Sequence, residues 1–347
     1  MIDLCIDARM AFFSGIGTCI RELVPYLNQP PFKAVLLVDH LDQAWCKGIE
    51  QILLRCPIYS IREQVMFPIK IPKCDLFWSP HYNIPLLPIK AKRRVVTIHD
   101  ACHLALGKNL SLFARLYANR VMRWASYRSD QVITDSRFSA KELCHYLGNP
   151  RTEIRVIPVA TNLKRFQRKR DPVIRDKYQL PEKFALFVGN LKPHKNLHGL
   201  AKAFTAASLP GWGLVLVGMN KQNEKIENAL ILGKVPEEEL PMLYSLAELL
   251  VFPSFYEGFG LPPLEAMSCG CPTVVSNAAS IPEVCGEASL YFHPGRVEEM
   301  AAAIKRVALY QELRSRLVQK GFERVRQFDW GETARQYRSV FEEVCRL

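Results

Sequence analysis

Residues 252–276 read FPSFYEGFGLPPLEAMSCGCPTVVS. The apolar run that leads into this stretch predicts a β-strand, the glycines at 258 and 260 predict a loop, and PPLEAM predicts a helix that starts on proline. The run PTVVS predicts the next strand. This order of strand, loop, helix and strand is typical of a parallel α/β sheet.

Two glutamates stand eight residues apart in this stretch, Glu257 in the predicted loop and Glu265 in the predicted helix. Loop amides and a helix N-terminus attract an anion such as a phosphate. Carboxylates beside such a place are poor phosphate ligands, but they accept hydrogen bonds from the hydroxyls of a sugar or a ribose. The stretch therefore predicts a site for a phosphorylated sugar or nucleotide.

The rest of the chain repeats the alternation of strands and helices in two successive sets. We predict an N-terminal Rossmann-like domain at 1–168, a C-terminal Rossmann-like domain at 169–329 and a last helix at 330–347 that returns to the first domain. The polar segment 164–177 is the predicted join. Ligands of doubly wound sheets bind beyond the carboxyl ends of the strands, so we expect the two domains to face each other across a deep cleft.

Composition agrees with a folded globular chain, with 49% hydrophobic and 23% charged residues among 347. No apolar run reaches the roughly 20 residues of a membrane-spanning helix. The opening MIDLCIDARMAFF carries acidic residues and reads as a first strand, so a cytoplasmic protein is expected. The 11 cysteines are scattered singly apart from Cys269 and Cys271, which predicts reduced and mostly buried thiols.

Positive charge is concentrated in the first half of the chain. Residues 1–170 contain 26 lysines and arginines against 13 aspartates and glutamates, whereas residues 171–347 contain 20 against 21. This half is expected to contact a phosphate-bearing acceptor or an acidic membrane surface, and nucleic acid is the weaker third reading. The predicted helix 111–128 mixes aromatic and arginine side chains, as an interfacial helix does, although a core-facing helix with a solvated basic side fits equally.

Three further motifs each follow a predicted strand. SGIG at 14–17 could bring backbone amides to a phosphate or could be a plain tight turn. His99-Asp100 could be a general base with its orienting carboxylate, a metal-ligand pair, hydrogen-bonding groups for a sugar, or a structural cap. In FVGNLKPHKNL at 187–197, Lys195 is the predicted cation for a diphosphate, whereas Lys192 reads as a surface lysine.

These motifs together resemble the retaining family 4 glycosyltransferases of the GT-B fold, the superfamily that also contains glycogen synthase. Glu257 and Glu265 match the family's Glu-x7-Glu signature. The resemblance runs in order along nearly the whole chain, and its further segments are SPHYNIP, VVTIHD, ITDSRFSAKEL, VIPVATNLKRF, FVGNLKPHKNL, GKVPEEELPMLYSLAELLVFPS, SNAASIPEV and FDWGETARQY.

The resemblance implies a role for each matching position. Glu257 would meet the donor sugar's hydroxyls, Glu265 the ribose, Lys195 the diphosphate, Gly17 the distal phosphate and His99 a far hydroxyl of the sugar. The other donor-side positions are Gly15, Gly189, Asn190, His194, Lys234, Val235, Gly258, Phe259, Gly260 and Leu261. On the acceptor side stand His99, Asp100 and Ser136.

The chain departs from the family pattern near Lys195. Many members carry an arginine either directly after the strand's glycine or just before the lysine, and those positions are Asn190 and His194 here. Neutralisation of the leaving diphosphate would therefore rest on Lys195, on Gly17 and on His194 when it is protonated.

These features predict a retaining transferase that moves a hexose, mannose favoured, from a nucleotide diphosphate sugar to a saccharide or lipid-linked acceptor in bacterial surface polysaccharide assembly. His99, Lys195 and Glu257 are the predicted catalytic residues. No Asp-x-Asp motif occurs, so we expect neither a metal ion nor a cofactor beyond the donor. The alternatives are another nucleotide-sugar-processing enzyme of this fold, or a catalytically silent basic module that binds membrane or nucleic acid.

Overall fold

The computed structural model describes residues 1–41, 43–106, 112–148, 150–169, 171–218, 226 and 228–346, without the side chains of 112–115. The chain divides into two compact units. The N-terminal unit comprises Met1–Val159 with Trp330–Leu347, and the C-terminal unit comprises Ala160–Asp329. No helix in the described part of the chain has the length and apolarity to cross a membrane.

The N-terminal unit is built on a parallel sheet of seven strands among the described residues, in the order β3-β2-β1-β4-β5-β6-β7. Its central strands are short apolar runs that are buried, as in sheets covered on both faces by helices. The strands are β1 Ile2–Asp7, β2 Phe32–Val38, β3 Glu50–Leu53, β4 Cys74–Ser79, β5 Ala91–Thr97, β6 Gln131–Thr134 and β7 Arg155–Val156.

Five helices of the N-terminal unit precede residue 160 in the described ranges. They are α1 Ser14–Leu27, α2 Ile61–Lys70, α3 Cys102–Ala105, α4 Leu112–Arg128 and α5 Arg137–Leu147. The helix predicted at 111–128 is α4; its predicted first residue, Ser111, lies outside the described residues, as do the side chains of Phe113 and Arg115. Within α4, Val121 is buried, and Tyr117 and Trp124 are exposed.

The C-terminal unit repeats the architecture with a parallel sheet of six strands, counted over the described residues, in the order β10-β9-β8-β11-β12-β13. Its strands are β8 Lys183–Val188, β9 Trp212–Val217, β10 Ala229–Gly233, β11 Leu249–Phe252, β12 Thr273–Ser276 and β13 Ser289–Phe292. Its helices are α6 Pro172–Tyr178, α7 Leu197–Ala207, α8 Leu240–Leu246, α9 Leu261–Ser268, α10 Ile281–Cys285, α11 Val297–Leu309 and α12 Gln311–Val325.

The last helix, α13 (Trp330–Arg346), packs within the N-terminal unit. Tyr337 Oη lies 3.1 Å from Thr97 Oγ1, and the Tyr337 ring stands edge-on to the buried Trp78, with 5.4 Å between the ring centroids. Trp78 Nε1 donates to the same Thr97 hydroxyl at 3.0 Å. These contacts tie the end of the chain to strands β4 and β5 of the first sheet.

The boundary between the units lies earlier than the one predicted at 168/169. The chain passes from one unit to the other at Val159 and Ala160. The segment predicted as a join belongs to the C-terminal unit, where the Phe166 ring packs against Tyr244 and the Lys169 amide donates to Ser245 Oγ at 2.9 Å. The prediction of unpaired thiols is confirmed, since all 11 cysteines are free and seven of them are buried.

Candidate active site

The loop that carries Glu257 lies between β11 and α9, at the carboxyl edge of the C-terminal sheet. Gly260 ends this loop with φ +104°, a left-handed conformation that glycine adopts without a Cβ clash, and α9 starts directly after it. The buried Ser280 hydroxyl lies 2.9 Å from the carbonyl oxygen of Glu257 and 3.0 Å from that of Phe259. Ser280 thus fixes the loop backbone on both sides of Gly258.

Lys195 and Glu257 meet as an ion pair. Lys195 Nζ donates to Glu257 Oε1 at 2.6 Å, and the two side chains are only 13% and 12% exposed. The ammonium also lies 5.6 Å from the centroid of the Phe252 ring, within the range of a cation–π contact. The structure therefore brings together, from two loops, the predicted diphosphate cation and the predicted sugar-reading carboxylate.

Two hydrogen bonds hold the Lys195 loop against the loop that carries Glu257. The Phe255 amide donates to the carbonyl oxygen of His194 at 2.8 Å. Asn196, in a left-handed conformation with φ +57°, donates through Nδ2 to the carbonyl oxygen of Pro253, at the start of that loop, at 3.3 Å, and to the carbonyl oxygen of Pro294, after β13, at 2.7 Å. Because the backbone on either side of Lys195 is fixed, its side chain is held in one position.

Glu265 lies in α9 and accepts a hydrogen bond from the buried Tyr244 hydroxyl, with 2.8 Å between Tyr244 Oη and Glu265 Oε2. Burial raises the pKa of Glu265 from 4.5 to about 7, although the Tyr244 hydrogen bond and the charge of Arg165 oppose the shift. The hydrogen bond from Tyr244 fixes the orientation of the Glu265 carboxyl group. A buried carboxyl group held in this way is suited to accept a hydrogen bond from a ligand hydroxyl.

Glu265→Gln is expected to stabilise the protein at alkaline pH. An acid whose pKa is raised by folding costs stability once it ionises, so the native protein loses stability as pH rises from 4.5 to about 7. Glutamine keeps the hydrogen bond from Tyr244 without the charge. We expect a gain of about 1–3 kcal/mol in the free energy of unfolding at pH 8 and almost none at pH 4, measured by urea denaturation.

The control for this variant is Glu237→Gln, because the Glu237 carboxylate is about half exposed and pairs with Arg165 at 2.8 Å. The control is expected to change stability by less than about 0.5 kcal/mol at either pH. An equal effect of Glu265→Gln at pH 4 and pH 8 would show that burial does not raise the pKa of this carboxyl.

Four further donor-side positions lie at the carboxyl ends of β8 and β10. Gly189 follows β8, and a Cβ on the neighbouring Gly218 would lie 2.6 Å from the Gly189 carbonyl oxygen, so the two backbones touch. Asn190 is exposed, and its side chain lies 3.3 Å from the Lys192 amide. Lys234 and Val235 follow β10, Lys234 exposed and Val235 half-buried.

His99 lies after β5 of the N-terminal unit with both ring nitrogens engaged. Nδ1 is 2.7 Å from Asp135 Oδ2 and Nε2 is 2.9 Å from the carbonyl oxygen of Pro80. A carbonyl oxygen and an ionised carboxylate both accept hydrogen bonds, so this arrangement favours the ring that carries a proton on both nitrogens. Burial alone would lower the pKa of His99, but the carboxylate of Asp135 outweighs it and raises the pKa above 6.5.

The raised pKa of His99 predicts a pH dependence of stability. A histidine whose pKa is raised by folding contributes stability that is complete below pH 6.5 and is lost as pH rises through its higher folded value. His99→Gln is therefore expected to cost roughly 1–3 kcal/mol at pH 6 and progressively less above neutrality, measured as the difference in unfolding free energy between native and variant chains.

His40→Gln serves as the control, because the exposed His40 stands 4.0 Å from Asp39 in a comparable but solvated pair. Its effect should stay within about 0.5 kcal/mol at every pH. A constant difference in unfolding free energy between native and His99→Gln chains from pH 6 to pH 9 would contradict a pKa of His99 that is raised by folding.

The other predicted acceptor-side residues lie near the starts of helices. Asp100 Oδ1 accepts the Cys102 amide at 2.8 Å, where α3 begins. Ser136 is the N-cap of α5, and its Oγ accepts the Ser139 amide at 3.0 Å. Both residues follow strands at the same edge of the sheet as His99.

The first glycine motif lies inside a helix. Helix α1 begins at Ser14, so Gly15 and Gly17 lie in its first turns, where the sequence predicts a loop. The Gly17 amide donates to the carbonyl oxygen of Phe13 at 2.9 Å, so a phosphate contact through this amide competes with a helix hydrogen bond. A Cβ on Gly17 would lie 2.4 Å from the Ala11 carbonyl oxygen, so close packing is enough to require glycine there.

The sequence predictions missed three residues that position the site: Asp135, Tyr244 and Ser280. Asp135 and Ser280 stand in ITDS and SNAAS, polar ends of predicted strands, and that position is a signal which could have marked them. Tyr244 lies in α8, where its pattern is that of an ordinary core residue. Only its hydrogen bond to Glu265 shows that it positions a site residue.

Two family models match the chain in succession. The model described as Glycosyltransferase Family 4 matches residues 13–165. The model described as Glycosyl transferases group 1 matches residues 171–324. The first match covers most of the N-terminal unit, and the second covers most of the C-terminal unit with Lys195, Glu257 and Glu265.

Several curated proteins are similar in sequence. The O-antigen chain mannosyltransferase B of Escherichia coli is 32% identical over 262 residues, which are 70% of this chain and 68% of that protein. The serotype-specific mannosyltransferase WbdA of Escherichia coli is 30% identical over 367 aligned residues, which cover 96% of this chain. The chain spans only 42% of the length of WbdA.

Solved structures share the fold over the whole chain. A sucrose-phosphate synthase from Thermosynechococcus elongatus superimposes with a TM-score of 0.79 at 21% identity, covering 99% of both chains. HepE of Anabaena, solved in complex with UDP and glucose, gives 0.79 at 17% identity, covering 99% of this chain and 100% of HepE. With these structural matches, both family models and a relative at 32% identity, the chain belongs to the family 4 glycosyltransferases of the GT-B fold.

Proposed function

We propose that this glycosyltransferase moves a hexose, with mannose the favoured sugar, from a nucleotide diphosphate sugar to a saccharide or lipid-linked saccharide acceptor in bacterial surface polysaccharide assembly. The relatives' names, which include O-antigen chain mannosyltransferases, support the sugar and the setting. The observation that carries the proposal is the Lys195–Glu257 pair, held at the loop that leads into the Glu265 helix.

Lys195 and Glu257 would bind different groups of the donor. Lys195 is a cation that can turn from Glu257 to the diphosphate as negative charge builds on it, while the Glu257 carboxylate accepts hydrogen bonds from the sugar's hydroxyls. Glu265, with Tyr244 holding one oxygen, accepts from the ribose hydroxyls. Each side chain would then contact a donor group of opposite charge or of complementary hydrogen-bonding character.

We further propose that transfer retains the anomeric configuration and uses no metal ion. The bond between the anomeric carbon and the phosphate oxygen breaks with its electron pair going to the diphosphate. The acceptor hydroxyl attacks from the same face, and its proton passes to the departing phosphate oxygen. Lys195 and the loop amides stabilise the charge that develops there, which is the main catalytic contribution in this scheme.

The proposed setting is the cytoplasm, with peripheral contact to the inner face of the plasma membrane through the basic N-terminal unit. The excess of positive charge in residues 1–170 supports an anionic surface, and no nucleic acid partner is expected. His99 and Asp100 are the proposed acceptor-side groups of this unit.

A nucleotide panel tests the donor. UDP, GDP and ADP are compared by thermal shift, and a ligand at 100 times its dissociation constant stabilises by roughly 2.7 kcal/mol. We expect GDP to give the largest shift. If no nucleoside diphosphate shifts the melting temperature, the proposal is wrong.

Product analysis tests the chemistry. With GDP-mannose and a saccharide acceptor, NMR of the anomeric proton is expected to show the α configuration of the donor in the product. Activity should survive EDTA, and hydrolysis of the donor without acceptor should be measurable. Inversion would overturn the same-face route, and loss of transfer in EDTA would overturn metal independence.

A further inference from the structure

Helix α2 of the N-terminal unit exposes three aliphatic side chains on one face. Ile61, Val65 and Ile69, called the aliphatic stripe below, are 87%, 52% and 63% exposed. These positions are spaced by four residues, so they share one face of a helix with 3.6 residues per turn. On the opposite side, the charged Glu63 is fully buried beside Phe67. An amphipathic surface helix normally exposes polar side chains and buries no charge, so the exposed aliphatic face and the buried Glu63 are both unusual.

A buried hydrogen-bond network accounts for which face of α2 points outward. Glu63 Oε1 accepts from Arg9 Nη2 at 2.6 Å, and Glu63 Oε2 accepts from Asn83 Nδ2 at 2.6 Å and from the Tyr59 amide at 2.9 Å. Arg9 is also paired with Asp7 at 2.7 Å. Turning the aliphatic stripe inward would take the Glu63 carboxylate away from Arg9 and Asn83. These buried groups would then lose a hydrogen-bond acceptor, which is strongly unfavourable. The outward stripe is thus built into the fold.

The segment of chain that carries the stripe is basic. Arg55, Arg62 and Lys73 are exposed, and Glu63, the single carboxylate between residues 51 and 73, is buried and already paired with Arg9. Apolar side chains surrounded by cations complement a surface with an apolar interior and anionic headgroups. A soluble protein partner of the same chemistry would need an acidic rim around an apolar pocket.

We propose that α2 is the membrane-contacting element of this protein, with the aliphatic stripe inserted among the lipid chains and Arg55, Arg62 and Lys73 at anionic headgroups. The inference deepens the proposed peripheral membrane contact, for which the sequence pointed to α4. Insertion adds an apolar contribution that salt does not screen, whereas binding by cations alone is screened.

The test is sedimentation of the full chain with vesicles of phosphatidylethanolamine and phosphatidylglycerol. The variant Ile61→Gln/Val65→Gln/Ile69→Gln keeps helix-compatible side chains at exposed positions, so folding is retained. We expect it to lower the vesicle partition coefficient about tenfold or more, at low and at high ionic strength. The variant Arg55→Gln/Arg62→Gln/Lys73→Gln should lower it only at low ionic strength.

The matched control is Val173→Gln/Leu309→Gln/Tyr310→Gln, which removes three equally exposed apolar side chains from the C-terminal unit and should bind vesicles as the native chain does. Native binding by the stripe variant would overturn the proposal. So would a native dimer that the stripe variant turns into a monomer without change in vesicle binding, because the stripe would then cover a second copy.

The vesicle-binding test can fail independently of the tests of the proposed function. The stripe lies outside the Lys195 and Glu257 site, so the stripe variant should hydrolyse donor and transfer to a water-soluble saccharide acceptor at the native rate. Loss of vesicle binding with unchanged transfer supports α2 as the anchor, whereas a chain that binds vesicles but transfers no sugar refutes only the proposed function.

Discussion

Lys195→Met is expected to lower kcat for sugar transfer by roughly 10²–10³-fold, the loss typical of removing one preorganised group that stabilises developing negative charge. The ammonium is confined between Glu257 Oε1 at 2.6 Å and the Phe252 ring, and the backbone around it is held by Asn196. Asn190 and His194 stand at the two positions where the family resemblance implies an arginine, so we expect little other fixed positive charge to compensate.

Lys192→Met is the matched control, because this lysine stands in the same loop but is exposed. Its kcat should stay within about twofold of the native value, as for a surface substitution away from the chemistry. Initial rates with saturating donor, and melting temperatures of both variants, separate a catalytic effect from loss of fold. Equal effects of the two substitutions on kcat would show that Lys195 is not the cation at the leaving group.

Glu257→Gln is expected to slow transfer by about 10²-fold and at the same time to tighten binding of the nucleoside diphosphate alone. In the native chain the carboxylate holds Lys195, so a diphosphate must compete with Glu257 for the ammonium. The neutral amide releases that charge to the nucleotide while it weakens recognition of the sugar's hydroxyls. The two effects therefore have opposite signs.

Calorimetric titration with GDP and rate measurements with GDP-mannose check the two effects separately. Glu238→Gln, an exposed glutamate of the same unit, is the control and should leave both unchanged. If GDP binding weakens in parallel with transfer in Glu257→Gln, the carboxylate supports the phosphate site instead of competing for its lysine.

Much of the fold could be predicted from local sequence patterns. Short apolar runs ending in polar residues mark strands such as β8 and β11, because strands buried on both faces need apolar side chains throughout. Boundaries were less predictable. Helix α1 begins at Ser14 instead of Thr18, because the Gly17 amide already makes a helical hydrogen bond to the carbonyl oxygen of Phe13 at 2.9 Å.

The kinds of residue at the site and their place after strands follow from the sequence, since parallel strands carry their carboxyl ends to one edge of the sheet. Contacts between positions far apart in the chain arise only when the chain folds. The Lys195–Glu257 pair spans 62 residues, and the pKa of Glu265 and the double hydrogen bonding of His99 depend on which groups surround them. The outward face of α2 is the clearest case. Its apolar residues lie on more than one side, and the buried side is the one with Glu63 and Phe67, because any other orientation would take Glu63 away from its buried partner Arg9.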